Sequence, residues 1–536
     1  MAESHMSAYQ HPYGSRRTVV YGCRGMVATT HPLAAHAGLR VLQQGGNAID
    51  AAVAAAASLT VVEPTSNGIG SDAFAIVWTL GQLFGLNSSG PAPRGLTREW
   101  VRRQGLDIIQ PFGWSPVTVP GAPAAWVALS ERFGRISLSD SLAPAVELGR
   151  AGHPVAPTVA IGWSNAVTRF QTLLTGSEFA EWFRVFAKNG RGPYPGEVWY
   201  LTDHAATLEA IGATGGRSFY EGDIAERIAA YARATGGVMM VEDLAAFQPE
   251  WVVPLSVRYR GHDIWELPPN GQGLVALTAL QILEGLAAGS EAERIHYQIE
   301  ALKLGFADAA AYVADPRYMP WPADTFLSPA YAAERRALIS DRAAIPTAGV
   351  PVPGGTVYLC TADGEGNMVS FIQSNYRGFG SGLVIPGTGI ALQNRGELFT
   401  LDANHPNSLE PGKRPFHTII PGFVTRDGKP LGPFGVMGGF MQPQGHVQVM
   451  SRVLDDQLNP QAALDAPRFY WREGNRVAVE AAMPDNIVEE LRRRGHEVDI
   501  EPLSGGFGRG QIIWRDDDGV LAGGTEPRAD GHVAVW

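Results

Sequence analysis

The chain has 536 residues, a formal net charge of −11 and two cysteines. This acidic balance, with no long cluster of lysine and arginine, disfavours nucleic acid and anionic membrane as partners, because both attract basic patches. Two cysteines are too few for a disulfide framework, so Cys23 and Cys360 are expected to be buried free thiols. The length exceeds a usual single core of about 250–300 residues, which by itself favours two or more domains.

The N-terminal residues 1–17 are polar, with scattered histidine and tyrosine, and contain no apolar stretch of the kind found in secretory signals. A cytoplasmic protein is therefore expected. The spacing of apolar residues then predicts two helices, over 33–44 and 48–62, broken by a Gly-Gly pair. Asn47 is a suitable N-cap for the second helix. That helix is alanine-rich, carries Asp50 and is shorter than about 18 residues, which predicts a buried helix and not a membrane span.

Further along, a third long helix is predicted over 293–313. The pattern then changes to β, with strands predicted over 357–361 and 368–373 and a turn at 363–367 with the sequence Asp-Gly-Glu-Gly-Asn. The segment before this hairpin, 346–355, holds three prolines and three glycines. It is expected to be mobile, which suits a peptide bond that must be strained and then released.

The first hydroxyl after this mobile segment is that of Thr356, in the sequence Gly-Gly-Thr. If the chain cut itself between Gly355 and Thr356, the new α-amine could act as the base for the hydroxyl of the same residue. Downstream, Gly438 and Gly439 offer adjacent backbone N–H groups of the kind that hold an oxyanion. Together these segments predict acyl transfer through a threonyl ester. Taken alone, each is also typical of an ordinary turn.

Many more motifs stand in the order found in the γ-glutamyltranspeptidase family of N-terminal-nucleophile hydrolases, which the chain resembles nearly end to end. These motifs are Gly25-Met26-Val27-Ala28-Thr29, Gly45-Gly46-Asn47-Ala48-Ile49-Asp50, Glu63-Pro64, Val119-Pro120-Gly121, Phe219-Tyr220-Glu221-Gly222, Asp315-Pro316, Phe379-Gly380-Ser381-Gly382, Lys413-Arg414-Pro415 and Ala466-Pro467-Arg468-Phe469.

The resemblance implies a fold class of α/β, specifically a four-layer α/β/β/α sandwich. In that fold both cleavage fragments share one body, which overrides the expectation of separate domains. The implied fragments are a large subunit, 1–355, and a small subunit, 356–536, made from one precursor. A dimer of such heterodimers is one assembly that the sequence leaves open. No cofactor is implied, and the 13 histidines show no metal-ligand spacing.

The resemblance also assigns catalytic roles. Family members place a threonine hydroxyl beside the nucleophile, at the position that is Ser374 here, and serine keeps the hydroxyl while losing a methyl group. The oxyanion hole maps onto Gly438 and Gly439. Loss of one such donor typically costs about 10²–10³ in rate.

The positions that hold a γ-glutamyl group differ from the family pattern. An arginine position is occupied by Ser89, a pair of serines by His417 and Thr418, and an aspartate position by Leu398. An α-ammonium placed against leucine would lose its counter-ion, and a buried charge without a partner is costly. The γ-glutamyl group is therefore a doubtful best substrate.

Other substitutions offer compensation. Arg395 stands where relatives carry glutamine or asparagine and could grip a carboxylate with two hydrogen bonds. Asp72 brings a carboxylate toward the same region, and the alternative is that Asp72 and Arg395 form a structural ion pair. Tyr376 offers a hydroxyl to a substrate carbonyl, or only packs. The surrounding Gln-Ser-Asn-Tyr and Asn-Arg-Gly sequences resemble the branch of the family that includes oxamate amidohydrolase.

The sequence therefore predicts a self-processed threonine amidohydrolase or acyltransferase acting on a small amide, with water or an amine as acceptor. Cleavage of γ-glutamyl amides, as in glutathione hydrolysis or transfer, is the activity that the family implies. The first alternative is an amidase or acylase for a carboxylate-bearing amide such as oxamate or a glutaryl amide. The second is a homologue that has lost catalysis.

Overall fold

The computed structural model describes residues 17–345, 355–502 and 504–536. The segment 346–354, expected to be mobile, and residues 1–16 lie outside the described residues. The strands are β1 Val20–Gly22, β2 Gly25–Thr29, β3 Asp72–Thr79, β4 Gln82–Ser88, β5 His153–Pro154, β6 Val198–Trp199, β7 Glu250–Val252, β8 Leu255–Tyr259, β9 His262–Glu266, β10 Gly355–Asp363, β11 Met368–Tyr376, β12 Gly422–Arg426, β13 Lys429–Met437, β14 Phe469–Glu473, β15 Arg476–Glu480, β16 Glu497–Glu501, β17 Arg509–Arg515, β18 Leu521–Thr525 and β19 His532–Val535.

The α-helices are α1 Pro32–Gln43, α2 Ala48–Val62, α3 Arg98–Arg103, α4 Ala122–Phe133, α5 Leu138–Ala151, α6 Pro157–Leu173, α7 Ala180–Phe186, α8 Thr202–Thr214, α9 Arg217–Tyr220, α10 Asp223–Ala234, α11 Val241–Ala245, α12 Gly273–Glu284, α13 Glu291–Tyr312, α14 Pro329–Arg336, α15 Met441–Leu454, α16 Pro460–Asp465 and α17 Asp485–Arg493. Short 3₁₀ turns occupy Ser177–Phe179, Lys188–Gly190, Pro316–Tyr318, Ala323–Leu327, Arg395–Leu398 and Ser504–Gly506.

Two seven-stranded sheets form the centre of the fold. Sheet I has the strand order β19-β2-β10-β11-β3-β4-β7, and sheet II has the order β1-β18-β17-β13-β12-β9-β8. Sheet I contains strands from both sides of the Gly355–Thr356 bond, and β10 and β11 lie between β2 and β3. A three-stranded sheet, β14-β15-β16, and a two-stranded pair, β5-β6, complete the set.

Three hydrophobic clusters separate the layers. The middle cluster joins the facing sides of the two sheets through side chains such as Tyr358 and Ile372 of sheet I and Phe423 and Ile513 of sheet II. A second cluster packs α1, α2 and α4 on the outer side of sheet I, and a third packs α12, α13 and α15 on the outer side of sheet II. The layers are therefore helix, sheet, sheet and helix, which confirms the predicted α/β/β/α sandwich.

Successive side chains of β10 show how one strand serves two layers. Tyr358, Cys360 and Ala362 belong to the cluster between the sheets, whereas Val357 and Leu359 belong to the cluster under the helices. Side chains in a strand alternate between its faces, so a strand buried on both sides carries apolar residues on both faces. The strand carrying Thr356 is consequently at the centre of the molecule.

The predicted elements near this strand are confirmed. Helix α2 covers the predicted range 48–62, and the side chain of Asn47 accepts hydrogen bonds from the backbone N–H groups of Ile49 and Asp50. The carboxylate of Asp363 in the hairpin turn accepts from the N–H of Ala48 at 3.0 Å, which ties the turn to the start of that helix. The described residues contain no helix that is both long and apolar enough to cross a bilayer.

One expectation about the cysteines is wrong. Both are free and Cys360 is buried, but Cys23 is exposed. It lies in the short link that leads from β1 of sheet II to β2 of sheet I.

Candidate active site

Thr356 is held at an irregularity in the hairpin of β10 and β11. Gly355 pairs with Tyr376 and Val357 with Gln373, so the register shifts at the residue between them. Such a bulge redirects one side chain relative to the regular pleat. The buried Thr356 hydroxyl donates to Ser374 Oγ at 3.1 Å.

Ser374 is itself fixed by the backbone. Its Oγ accepts from the N–H of Tyr376 at 2.8 Å, and Tyr376 has a φ of 76°. This left-handed conformation is unusual for a residue with a side chain and turns the chain at the end of β11. The structure thus places Ser374 beside Thr356, where the sequence predicted it.

The glycine pair forms the turn between β13 and α15. Gly438 and Gly439 have φ values of 138° and 60°, which glycine adopts without strain. A Cβ on Gly438 would approach the Cα of Gly508 to 3.2 Å, so the turn is also closely packed. Gln272 Nε2 donates to the carbonyl oxygens of Gly439 at 2.8 Å and Thr418 at 2.6 Å. This amide joins the glycine turn to the segment carrying the predicted substrate contacts.

Arg395 is completely buried and only partly paired. Its Nη1 donates to Thr418 Oγ1 at 2.6 Å, while Nε and Nη2 have no hydrogen-bond partner among the described residues. The guanidinium lies 4.5 Å from the ring centroid of Tyr376. Burial lowers the pKa of Arg395 to about 10, and the charge of Asp72 opposes this shift, so the group stays cationic at neutral pH.

Asp72, the first residue of β3, does not form a direct ion pair with Arg395 in the described part of the chain. Its Oδ1 accepts from the N–H of Gly90 at 3.1 Å, and its Oδ2 accepts from Gln393 Nε2 at 3.3 Å. His417 Nε2 lies 3.1 Å from the same Oδ2. Burial raises the pKa of Asp72 to about 7, against the opposing effect of the Arg395 charge.

The tautomer of His417 follows from its neighbours. Burial and then the positive charge of Arg395 hold the pKa of His417 well below its usual value, so the imidazole is neutral. Its Nδ1 accepts from the N–H of Ile419 at 3.3 Å, which leaves the proton on Nε2 to be donated to Asp72. His417 therefore presents no charge to a substrate.

The two remaining predicted positions lie in other surroundings. Ser89 Oγ donates to Asn87 Oδ1 at 2.7 Å and shares hydrogen bonds with Asn270, which makes it part of a buried polar network of its own. Leu398 packs against the hydrophobic cluster that contains Phe416. The structure thus joins Thr356 with Ser374, and Arg395 with Thr418 and Tyr376, but does not bring Ser89 into direct contact with either group.

Residues 34–536 match the protein family described as Gamma-glutamyltranspeptidase. The chain belongs to the γ-glutamyltranspeptidase family. It is accordingly an enzyme, and the sequence motifs that resembled this family were interpreted correctly.

Three proteins are similar to this γ-glutamyltranspeptidase family member over nearly its whole length. The glutathione hydrolase-like YwrD proenzyme of Bacillus subtilis (strain 168) is 37% identical over 96% of the chain and 98% of its own length. The oxamate amidohydrolase proenzyme of Klebsiella pneumoniae subsp. pneumoniae is 33% identical with the same coverage of 96% and 98%. The crystal structure of cephalosporin acylase from Bacillus halodurans is 56% identical, covers 98% of both chains and has a TM-score of 0.96.

The structure of this γ-glutamyltranspeptidase family member also reveals a contact that the sequence did not. Gln442, in the first turn of α15, directs its side-chain Nε2 toward Thr356 Oγ1 at 3.5 Å. The available signal was its position three residues after the glycine pair, which places it one helical turn from Gly439. Nothing in the sequence indicated that this turn faces β10.

Among the described residues, one cluster of metal-binding residue types lies away from Thr356, although the histidine spacing in the sequence indicated no metal site. His296, Glu300 and His496 converge in a buried group. The two imidazoles are hydrogen-bonded directly at 2.8 Å, and Lys303 Nζ donates to Glu300 Oε1 at 2.7 Å. The backbone oxygen of Ser340 lies 2.9 Å from His296 Nε2. These contacts join α13 to the stretch around Ser340 and explain the cluster as a structural one.

Proposed function

We propose that the protein is an amidohydrolase that cleaves itself between Gly355 and Thr356 and then uses Thr356 as its nucleophile. The observation that carries this proposal is the position of the Thr356 hydroxyl. It is buried at a bulge of the central strand, hydrogen-bonded to Ser374 at 3.1 Å, and approached by the side-chain amide of Gln442 from the first turn of α15.

The reaction has two balanced steps. In acylation, Thr356 Oγ bonds to the acyl carbon, the C–N bond of the amide breaks, and the Oγ proton passes through the α-amine of Thr356 to the departing amine. The N–H groups of Gly438 and Gly439 stabilise the oxyanion. In deacylation, a water oxygen bonds to the acyl carbon, the C–Oγ bond breaks, and a water proton returns to Oγ through the same α-amine. An amine in place of water gives transfer.

The acyl group best suited to this site carries a carboxylate and lacks an α-ammonium. Arg395 offers two buried N–H donors without partners, and a carboxylate would satisfy both in a bidentate pair. The oxygens of Asp72 already accept from Gly90, Gln393 and His417, so they have little capacity left for an ammonium group. Oxamate and glutaryl amides have this combination of groups.

Cleavage of γ-glutamyl amides is the second candidate, and one observation favours it. Glu397 lies two residues after Arg395 and beside the Leu398 position, and its Oε1 pairs with Arg377 at 2.6 Å. Its Oε2 has no hydrogen-bond partner among the described residues, and burial raises the pKa of this carboxyl. An α-ammonium group would supply a partner. The name of the Bacillus subtilis relative agrees with this candidate, and that of the Klebsiella relative agrees with the first.

Three matched anilides test the two candidates. Glutaryl, γ-glutamyl and butyryl p-nitroanilide share one leaving group and differ only in the carboxylate and the α-ammonium. We expect kcat/KM for the glutaryl compound to exceed that of the butyryl compound by about 10²-fold, because each hydrogen bond to a charged group contributes about 1.5–3 kcal/mol. Preference for the γ-glutamyl compound over the glutaryl compound would instead support γ-glutamyl cleavage, with Glu397 as the partner of the α-ammonium group.

A further inference from the structure

The side chain of Gln442 is fixed at both ends of its amide. Its Oε1 accepts from the backbone N–H of Ile420 at 3.0 Å, and the side chain is fully buried. A backbone N–H can only donate, so the oxygen of the amide must face Ile420. The nitrogen must then face Thr356, which removes the usual ambiguity in the orientation of a glutamine amide.

The hydrogen-bonding capacity of the Thr356 hydroxyl fits this donor. Its own proton is donated to Ser374 Oγ, which leaves lone pairs on Oγ1 to accept. Gln442 Nε2 lies 3.5 Å away, a long distance for a hydrogen bond but one typical of catalytic contacts that shorten when substrate binds. The oxyanion of a tetrahedral intermediate is bonded to the same carbon as Oγ, so this donor lies near both oxygens.

We propose that Gln442 is a further catalytic residue, whose side-chain amide donates to Thr356 Oγ as that oxygen leaves the acyl carbon during deacylation. This inference rests on the proposed function. In the step concerned, the water oxygen has bonded to the acyl carbon, the C–Oγ bond breaks, and negative charge collects on Oγ before the α-amine returns the proton. A preorganised N–H donor stabilises that charge without having to reorient.

Two variants isolate the donor. Gln442→Glu keeps the size and the oxygen that accepts from Ile420 while replacing the NH₂ group, and Gln442→Leu removes both ends. Gln444→Leu is the matched control, because Gln444 is also buried on α15 but bonds to Trp471 through both ends of its amide. All three are compared with the wild type using whichever of the three anilides the wild type cleaves fastest.

The expected result for both Gln442 variants is a steady-state rate about 10²-fold lower with a preserved burst of nitroaniline, since one preorganised donor typically contributes about that factor. Mass spectrometry should then show an acyl group accumulating on fragment 356–536. In Gln442→Glu the defect should deepen as pH rises, because an ionised carboxylate beside Oγ repels the developing charge. Gln444→Leu should show neither accumulation nor this pH dependence.

Several results would overturn the assignment. These are an unchanged steady-state rate, an equal loss of burst and steady-state rates without acyl accumulation, or loss of the wild-type thermal transition in both Gln442 variants, which would make Gln442 a packing residue. If the Gln442 variants fold but are not cleaved between Gly355 and Thr356, the same defect would leave an ester stalled on Thr356 Oγ. Hydroxylamine should then split these variants at residue 356, and resistance to hydroxylamine would contradict the assignment. Failure of the proposed function is distinct, because the wild type itself would then show no adduct on 356–536.

Discussion

The hydroxyl of Thr356 donates to that of Ser374 across the central hairpin at 3.1 Å, and Ser374 in turn accepts from the backbone N–H of Tyr376 at 2.8 Å. The second contact fixes the acceptor, so the first contact fixes the rotamer of the nucleophile. The geometry of β11 thereby determines where the Thr356 oxygen points.

Replacing Ser374 should slow both self-cleavage and turnover. Ser374→Ala removes the acceptor from two buried donors, and each unsatisfied donor costs about 1–3 kcal/mol, which corresponds to a loss of about tenfold or more in rate. Ser374→Thr keeps the hydroxyl and should retain the rate within a few fold. The measurement is the time course of precursor cleavage on a gel together with anilide turnover; equal rates for the alanine variant and the wild type would exclude the contact from the mechanism.

The glycine turn should not tolerate a side chain. Gly439→Ala places a Cβ on a residue with a φ of 60°, which costs about 1–2 kcal/mol and rotates the peptide groups of the turn. We expect kcat to fall by about 10²–10³ because an oxyanion donor is displaced. Gly428→Ala is the control, since Gly428 has a φ of 77° in the β12–β13 turn and open space around it. A loss of kcat as large in that variant would show that the effect is only backbone strain.

Arg395 should determine the preference for a carboxylate. Gln replaces the cation with a neutral amide, so Arg395→Gln should raise KM for the glutaryl anilide by about 10²-fold and leave the butyryl anilide nearly unchanged. Arg395→Lys keeps the charge but not the forked donor pair, so its KM for the glutaryl anilide should lie between those of the wild type and Arg395→Gln. The measurement is KM for both anilides in each variant. Equal losses for the two substrates would mean that Arg395 supports the fold and does not bind the carboxylate.

Asp72 should make substrate affinity depend on pH. Because its pKa is raised to about 7, the carboxyl is neutral below that pH and ionised above it. Ionisation adds a negative charge near Arg395, so KM for a carboxylate substrate should rise on the order of threefold to tenfold from about pH 6 to about pH 8. Asp72→Asn should flatten this profile. A profile that keeps its slope in the variant would assign the titration to another group.

Local signals account for what could be predicted. The cap at Asn47, the turn at Asp363 and the strand pattern after Thr356 are properties of a few consecutive residues, and the structure shows each where the sequence indicated it. The exposure of Cys23 was missed because it depends on what covers the β1–β2 turn and not on the residue type.

Contacts between distant segments account for what was missed. Gln442 meets Thr356 because α15 begins next to β10, and His417 meets Asp72 because the loop before β12 passes the start of β3. Neither of these two contacts is indicated by a local pattern in the sequence. The same holds for the free donors of Arg395, since its partnering depends on where Thr418, Tyr376 and Asp72 come to lie around it.

The most direct test of the central claim is the intact mass of the purified protein before and after exposure to the best anilide substrate. The account predicts two polypeptides, 1–355 and 356–536, with a transient acyl group on the second, and a single uncut inactive chain for Thr356→Ala. Thr361→Ala is the control, because Thr361 is also buried on β10 but donates to the carbonyl oxygen of Ala48. An unbroken wild-type chain that cleaves amides, or an acyl group on any other residue, would contradict the account.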